Sequence, residues 1–296
     1  MKKGIIYIIL SGICFIVVNL FVKLLGGGNS EVIISDLQKY PPHELVLARC
    51  VVSFIISLCI IKKKKIKIFG ENKKWLIIRG FSGTIALTIF FYTIHYLPLA
   101  IASTIQYLAP IFTIIIAMLF FKERIKKIQW IFILISFLGI VFISLNKMNG
   151  INIINGQTSL TWITLGLISA VFSAIAYSAI VKLKDTDQPI TIVIYFPMVA
   201  IPLMILLCLF DFTIPQGIEW FFLIIIGIFT QFAQILMTKA LHIGNTSEII
   251  PFQYLGAVYA FLVGYFIFNE TLNMITNIGI SLVIIGVIVN VIIRKN

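Results

Sequence analysis

The sequence places the same short polar motif, Gln-Tyr-Leu, inside two long apolar stretches. Gln106 and Tyr107 lie in IASTIQYLAPIFT, and Gln253 and Tyr254 lie in SEIIPFQYLGAVY. An amide and a phenol both donate and accept hydrogen bonds, so these side chains can bind a polar solute in an apolar setting. They can equally hydrogen-bond to neighbouring helices, and the sequence leaves both interpretations open.

Basic and amide side chains in other apolar stretches extend this set of candidates. Arg49 lies deep in its stretch, so we expect it either to pair with an acid such as Glu44 or to face an aqueous cavity. Arg79 and Lys239 lie nearer the ends of theirs, and we expect them to extend to the membrane surface. The predicted cavity residues are Gln106, Tyr107, Gln253, Tyr254, Arg49, Tyr92, Asn19 and Gln231, and the predicted gating or helix-end residues are His95, His242, Glu123 and Glu270.

The composition places these residues in a lipid bilayer. Hydrophobic residues make up 60% of the 296, charged residues make up 11%, and the mean hydropathy is +1.09. Apolar runs long enough to cross a hydrocarbon core about 30 Å thick recur along the chain. Because the runs are continuous rather than alternating, they predict helices rather than barrel strands. The ten predicted spans are 4–25, 43–61, 75–96, 99–121, 128–145, 161–182, 189–210, 218–240, 246–268 and 274–293.

The basic residues produce a net charge of +12, and most of them lie at alternate span ends. This asymmetry follows the positive-inside rule and predicts a multi-pass protein of the cytoplasmic (inner) membrane with both termini in the cytoplasm. It also accounts for the charge without a nucleic-acid partner. The lysine-rich ends contain Lys2, Lys3, the run KKKKIK at 62–67, the loop KERIKK at 122–127, Lys182, Lys184 and Lys239.

An internal repeat relates the two halves of the chain. Gln106 and Gln253 differ by 147 positions, and the same shift pairs residues of several other types. Ahead of Pro42 the shift becomes 159, because VKL at 22–24 matches VKL at 181–183. We therefore expect two units of five helices, 1–147 and 148–296. The further pairs are Pro42 with Pro189, Gly70 with Gly217, Gly80 with Gly227, His95 with His242, Phe121 with Phe268, Glu123 with Glu270 and Gly139 with Gly286.

Because five is an odd number, the second unit must enter the membrane from the opposite side. Such inverted repeats are typical of secondary transporters, whose site lies near the bilayer midplane between the two halves. Each Gln-Tyr motif lies about 10 Å from a different membrane surface, so the two motifs bracket the midplane. The architecture therefore favours a solute carrier that works by alternating access.

Several segments resemble the drug/metabolite transporter superfamily, specifically its EamA-domain members. The resemblance is carried by PPHELVLARC, by RGFSGTIALTIFFYTIHYLPLAIASTIQYLAPIFTIIIAMLFFKERI and by the Gly-rich fifth span. Arg49, Pro110 and the Glu123-Arg124 pair make it specific in the first unit, whereas Ala257 stands at the equivalent of Pro110 in the second. It covers essentially the whole chain as two EamA-like repeats. It implies an all-α membrane protein of ten helices around a central cavity that moves small organic solutes.

The acidic residues bear on coupling and on the solute. All eleven lie in loops or near span ends, so the carboxylate relay usual for proton or sodium coupling is not visible. Uniport or exchange is favoured, although His95 and His242 can titrate near neutral pH. A cavity lined by cationic and amide groups suits an anionic or zwitterionic solute, such as an amino-acid-like metabolite.

Other functional classes lack their sequence signatures. The alternative to a carrier is an intramembrane enzyme acting on lipid or acyl groups, but HExxH, GxSxG and Walker motifs are absent from the sequence. A receptor or scaffold would not need an inverted repeat. The four cysteines lie within spans without metal-ligand spacing, and we expect no cofactor and no metal. The expected partners are a small-molecule solute and the bilayer, with the chain as a monomer or a homodimer.

Overall fold

The computed structural model is helical throughout its regular elements, over the residues that it describes: 2–26, 37–96, 102, 105–122, 127–148, 156–256, 258–259, 262–263 and 274–294. The helices are α1 (Lys2–Leu25), α2 (Pro42–Lys64), α3 (Lys73–Tyr96), α4 (Leu108–Phe121), α5 (Lys127–Met148), α6 (Gly156–Leu183), α7 (Pro189–Cys208), α8 (Glu219–Ile243), α9 (Thr246–Ile249) and α10 (Met274–Arg294). A 3-10 helix, Ile250–Tyr254, follows α9 directly.

Six of these helices, α1, α2, α3, α6, α7 and α8, contain segments long and apolar enough to cross a membrane. Shorter apolar helical segments lie at Leu108–Phe121, Trp130–Phe142 and Asn277–Gly286. The prediction of an all-α protein with several membrane-spanning helices is therefore confirmed for the described part of the chain.

Proline begins two of the long helices. Pro42 opens α2 and Pro189 opens α7, and the residues before them, Pro41 and Gln188, have extended backbones. Proline suits the first helical position because its φ is already helical and no hydrogen bond is needed from its nitrogen. The residue before proline avoids the helical region, so both helices begin sharply.

The helix that carries Gln106 is interrupted at the neighbouring Tyr107. The sequence predicts one span over 99–121, but regular α4 begins only at Leu108, and Tyr107 lies in a turn after helical Ile105 and Gln106. Pro110 supplies the reason, because it has no N–H to bond the carbonyl of Gln106 one turn earlier. Tyr254 likewise ends a 3-10 helix, so both Gln-Tyr motifs lie at helix irregularities.

Each long helix packs on a definite partner. α2 contacts α7 and α8, α3 contacts α6 and α7, α1 contacts α8, α4 contacts α6, and α5 contacts α10. Stripes of small residues at every fourth position form buried packing surfaces on α4 and α6. These stripes are Ala109, Thr113 and Ala117 on α4, and Ala170, Ala174 and Ser178 on α6. Of the corresponding stripe at 256, 260 and 264, the last two positions lie outside the described residues.

Glycine permits the close contact between α5 and α10. A Cβ at Gly139 would lie 2.6 Å from the carbonyl oxygen of Gly279, and a Cβ at Gly286 would lie 2.7 Å from that of Phe132. The two glycines therefore let each backbone touch the other. Neither carbonyl belongs to a flexible side chain, so neither can move aside alone.

We expect Gly139→Ala to destabilise the protein. Overpacking of this kind costs about 1–3 kcal/mol, which exceeds the gain of up to about 1 kcal/mol in helix propensity from glycine to alanine. The melting temperature of the purified protein in detergent should fall by several degrees. Leu138→Ala is the matched control, because Leu138 is exposed on the same helix and should change the melting temperature little. An unchanged or raised melting temperature for Gly139→Ala would contradict the contact.

Candidate functional site

Arg49 projects from α2 into the interior of the bundle. Its side chain is 2% exposed, and its guanidinium carbon lies 5.8 Å from the ring centres of both Phe91 and Phe196. An arginine over an aromatic face is stabilised by the negative potential of the ring, more strongly where water is excluded. Phe196 is also the residue that the 147 shift pairs with Arg49. The contact therefore joins equivalent positions of α2 and α7.

Arg79 of α3 faces the same ring. Its guanidinium carbon lies 5.6 Å from the centre of Phe196, and Nη2 donates a hydrogen bond of 2.9 Å to Oε1 of Gln234 on α8. The expectation that Arg79 extends to the membrane surface is wrong, because its side chain is 2% exposed. Gly83, one turn later on the same face of α3, explains the difference, since a Cβ there would overlap Nη1 of Arg79.

The two arginines have no carboxylate partner among the residues that the structure describes. Nε of each guanidinium is buried without a hydrogen-bond partner, and Oε2 of Glu44 instead accepts the N–H of Thr213 at 3.0 Å. Since each guanidinium carbon lies within 5.8 Å of the Phe196 ring centre, the two charges are no more than about 12 Å apart and repel each other.

Tyrosines connect the arginines to the Gln-Tyr motifs. Tyr177 of α6 interacts electrostatically with Arg49, with Arg79 and with Tyr107. The rings of Tyr107 and Tyr254 meet edge to face with their centres 6.3 Å apart. The 147 shift pairs Tyr107 with Tyr254, so these two residues, like Arg49 and Phe196, are equivalent positions in contact. We call the whole set the central cluster: Arg49, Arg79, Phe196, Tyr177, Tyr107 and Tyr254.

The two glutamines of the repeated motif have different surroundings. Nε2 of Gln106 donates to Oγ of Ser173 at 2.8 Å, and Oε1 accepts from Oγ of Ser169 at 3.1 Å. Gln253 is half-buried and its Nε2 has no partner. The 159 shift explains this, because it pairs Ser169 and Ser173 of α6 with Leu10 and Cys14 of α1. A leucine and a thiol replace the two hydroxyls.

The remaining cavity candidates make other contacts. Gln231 is 1% exposed and joins α8 to α2, since Ser53 donates to its Oε1 and its Nε2 donates to Ser57 at 2.7 Å. Asn19 is exposed on α1. Tyr92 is half-buried near the end of α3, and its hydroxyl bonds Nδ1 of His43 at 2.9 Å.

Of the gating candidates, only one has a described side chain. Glu123, Glu270 and the side chain of His95 lie outside the described residues. His242 is half-buried near the end of α8 and has Nε2 without a partner. Lys239, one turn earlier, is half-buried with Nζ 5.9 Å from the ring centre of Tyr7, so its stem and charge pack against α1.

A carboxylate ties segments together at the lysine-poor end of the bundle, where α2 and α8 begin. Glu219 accepts three hydrogen bonds: from N–H of Gln38 at 2.7 Å, from the hydroxyl of Tyr40 at 2.5 Å and from N–H of Gln216 at 2.7 Å. Burial and the bond to Glu219 raise the pKa of Tyr40, which keeps the phenol a donor. We call Glu219 and its donors Gln38, Tyr40 and Gln216 the Glu219 latch. A cleft of about 280 Å³ lies beside it, between Lys39, Tyr92 and Asp211.

A second carboxylate, Asp187, joins segments at the lysine-rich end of the bundle, where α3 and α7 begin. We call Asp187 and its donors the Asp187 latch. Asp187 accepts from N–H of Glu71 at 2.7 Å, from N–H of Asn72 at 3.3 Å and from the hydroxyl of Thr186 at 2.8 Å. Under the 147 shift, Tyr40 corresponds to Asp187 and Asn72 to Glu219. The Asp187 latch therefore uses the same pair of positions as the Glu219 latch, with the acid on the other member.

Sequence reasoning missed three residues of the central cluster. It did not single out Phe196 or Tyr177, and it placed Arg79 at the surface. The sequence did contain a signal for Phe196, because the 147 shift pairs it with Arg49. Nothing in the local sequence marks Tyr177.

Comparison with known proteins identifies the family. The model of the EamA-like transporter family matches twice, at residues 2–145 and 160–292. The pseudopaline exporter CntI of Pseudomonas aeruginosa is 26% identical over 289 residues, covering 97% of this chain and 95% of that protein. Human solute carrier family 35 member G1 is 27% identical over 304 residues, covering 99% of this chain and 79% of that protein. A solved crystal structure shares the fold with a TM-score of 0.78 at 16% identity, and the match covers 100% of this chain and 98% of that one. The chain belongs to the EamA-like transporter family.

Proposed function

We propose that this protein is a secondary transporter that moves a small organic metabolite, anionic or zwitterionic, across the cytoplasmic membrane by alternating access. The observation that carries the proposal is the buried guanidinium of Arg49, which no described carboxylate neutralises. Within the proposal, the lysine-rich end of the bundle faces the cytoplasm.

The architecture that we propose is ten helices in two inverted repeats, 1–147 and 148–296. The helix contacts support it. In the proposed repeat each of α1 to α5 is equivalent to the helix numbered five higher, so the contact of α1 with α8 is equivalent to that of α6 with α3. The contacts of α2 with α7 and of α5 with α10 each join a helix to its own equivalent. Tyr107 with Tyr254, and Arg49 with Phe196, are equivalent residues in contact. Such self-contacts occur only near a twofold axis. The double match to one family model supports the same division.

The electrostatics of Arg49 favour an anionic group on the solute. Taking an ion out of water costs several kcal/mol, whereas an aromatic ring returns about 0.5–2 kcal/mol. The rings of Phe91 and Phe196 therefore offset only part of the cost. A carboxylate that arrives with the solute would offset more of it, through paired N–H bonds to the guanidinium.

The two latches support an alternating mechanism. Glu219 holds one end of the bundle and Asp187 holds the other, and both sets of hydrogen bonds are formed in this structure. A carrier in this state encloses its site. In the proposed cycle, one latch opens while the other stays closed.

We expect Arg49→Gln to reduce solute flux by about tenfold or more, because hydrogen bonds to a charged group are worth about 1.5–3 kcal/mol. The solute is first identified by metabolomics of cells with and without the protein, with medium and cytosol measured separately. Flux of that solute is then measured in proteoliposomes. Arg49→Lys, which keeps the charge, should retain part of the flux. Unchanged flux for Arg49→Gln in correctly inserted protein would refute the site.

The two glutamines should respond differently to substitution. Gln106→Leu removes two hydrogen bonds to α6, each worth about 0.6 kcal/mol in a membrane bundle, so the melting temperature should fall. Gln253→Leu removes a buried amide donor that has no partner, so we expect lower flux at an unchanged or raised melting temperature. The two variants serve as controls for each other, with flux in proteoliposomes and melting in detergent as readouts. The opposite pattern would show that Gln106 contacts the solute and Gln253 does not.

A further inference from the structure

The central cluster holds two positive charges rather than one. Arg49 comes from α2 and Arg79 from α3, and each is 2% exposed. Both guanidinium carbons lie over the ring of Phe196, at 5.8 and 5.6 Å from its centre. Phe196 is itself 4% exposed, so the ring and the two charges form one buried unit.

The described neighbours of this unit are neutral. Gln234 accepts one N–H of Arg79, and Tyr177 interacts electrostatically with both guanidinium groups. Nε of each arginine remains unbonded, and within the described ranges neither arginine has an ion pair. The amide of Gln234 satisfies one hydrogen bond of Arg79, and neither this amide nor the phenol of Tyr177 cancels a charge.

One negative charge would leave the unit with a net positive charge and one unpaired cation. Two negative charges would neutralise it and remove the repulsion between the guanidinium groups. Each guanidinium presents a planar fork of donors that matches a carboxylate, so two forks match two carboxylates. The two charges are no more than about 12 Å apart, a distance that a short carbon chain can span.

We infer that the transported solute carries two negative charges, as a small dicarboxylate does, with one acidic group on Arg49 and the other on Arg79. This inference rests on the proposed function and narrows its solute class. Arg79 thereby becomes a specificity-determining residue. Phe196 is the apolar surface that the sites for the two acidic groups share.

The test compares matched acids in proteoliposomes that contain the full-length protein. Radiolabelled succinate, glutarate and adipate are the doubly charged probes, and butyrate, valerate and hexanoate are the singly charged ones. Glycerol 3-phosphate against glycerol tests whether one phosphate can supply both charges. We expect protein-dependent uptake of at least one doubly charged probe, exceeding that of the singly charged acids on the order of tenfold or more.

Arg79→Gln separates the two acidic-group sites. We expect it to lower uptake of the doubly charged probe on the order of tenfold to a hundredfold, and to raise uptake of the singly charged acid of equal length relative to it. Arg79→Lys should restore the preference for two charges. Melting temperatures in detergent establish that both variants are folded.

Each outcome has a separate meaning. Equal uptake of singly and doubly charged acids, or a preference unchanged by Arg79→Gln, would overturn the inference and leave the proposed function standing. Uptake of a doubly charged probe that Arg49→Gln and Arg79→Gln both abolish supports the inference. Uptake of none of the anions would overturn both the inference and the anionic solute class of the proposed function.

Discussion

The guanidinium group of Arg49 keeps its positive charge where water hardly reaches, between the rings of Phe91 and Phe196. Much of the interior of the bundle is arranged around that charge. α7 brings Phe196 to it, α3 brings Phe91 and a second cation, and α6 brings the hydroxyl of Tyr177. A buried charge of this kind lowers the stability of a fold, so its presence indicates another purpose. The family to which the chain belongs supplies one, since its members are transporters.

The twofold relation that we propose between the two halves bears on where such a charge can be placed. Near a twofold axis, equivalent residues of the two halves meet, and a homodimer would bring two identical side chains together. Here the two halves have different sequences, so an arginine meets a phenylalanine rather than another arginine. The same freedom lets Gln106 form a hydrogen bond at each end of its amide while Nε2 of Gln253 has no partner. In the proposed repeat, the sequence differences between the two halves therefore yield a site that two identical halves could not form.

The sequence was informative wherever a pattern repeats along the chain. Apolar runs predict most of the helices because a bilayer requires about 20 apolar residues per crossing. Proline at 42 and at 189 predicts two helix starts. The side chain of Arg79 could not be placed, because its burial depends on space left by Gly83 and on Gln234 of a distant helix. Similarly, the partners of Gln106 lie on α6, more than 60 residues away. Contacts between helices were beyond any local pattern.

The two latches are alike in number and kind of bonds. Each carboxylate accepts two backbone N–H groups and one hydroxyl, and two of the three donors belong to the segment that it holds across the bundle. Opening either end of the proposed carrier therefore breaks a comparable set of charge-assisted hydrogen bonds. The unloaded protein would then divide itself fairly evenly between its two orientations. In that case, the empty carrier presents its site to either side about equally often, so the protein itself favours neither uptake nor export kinetically.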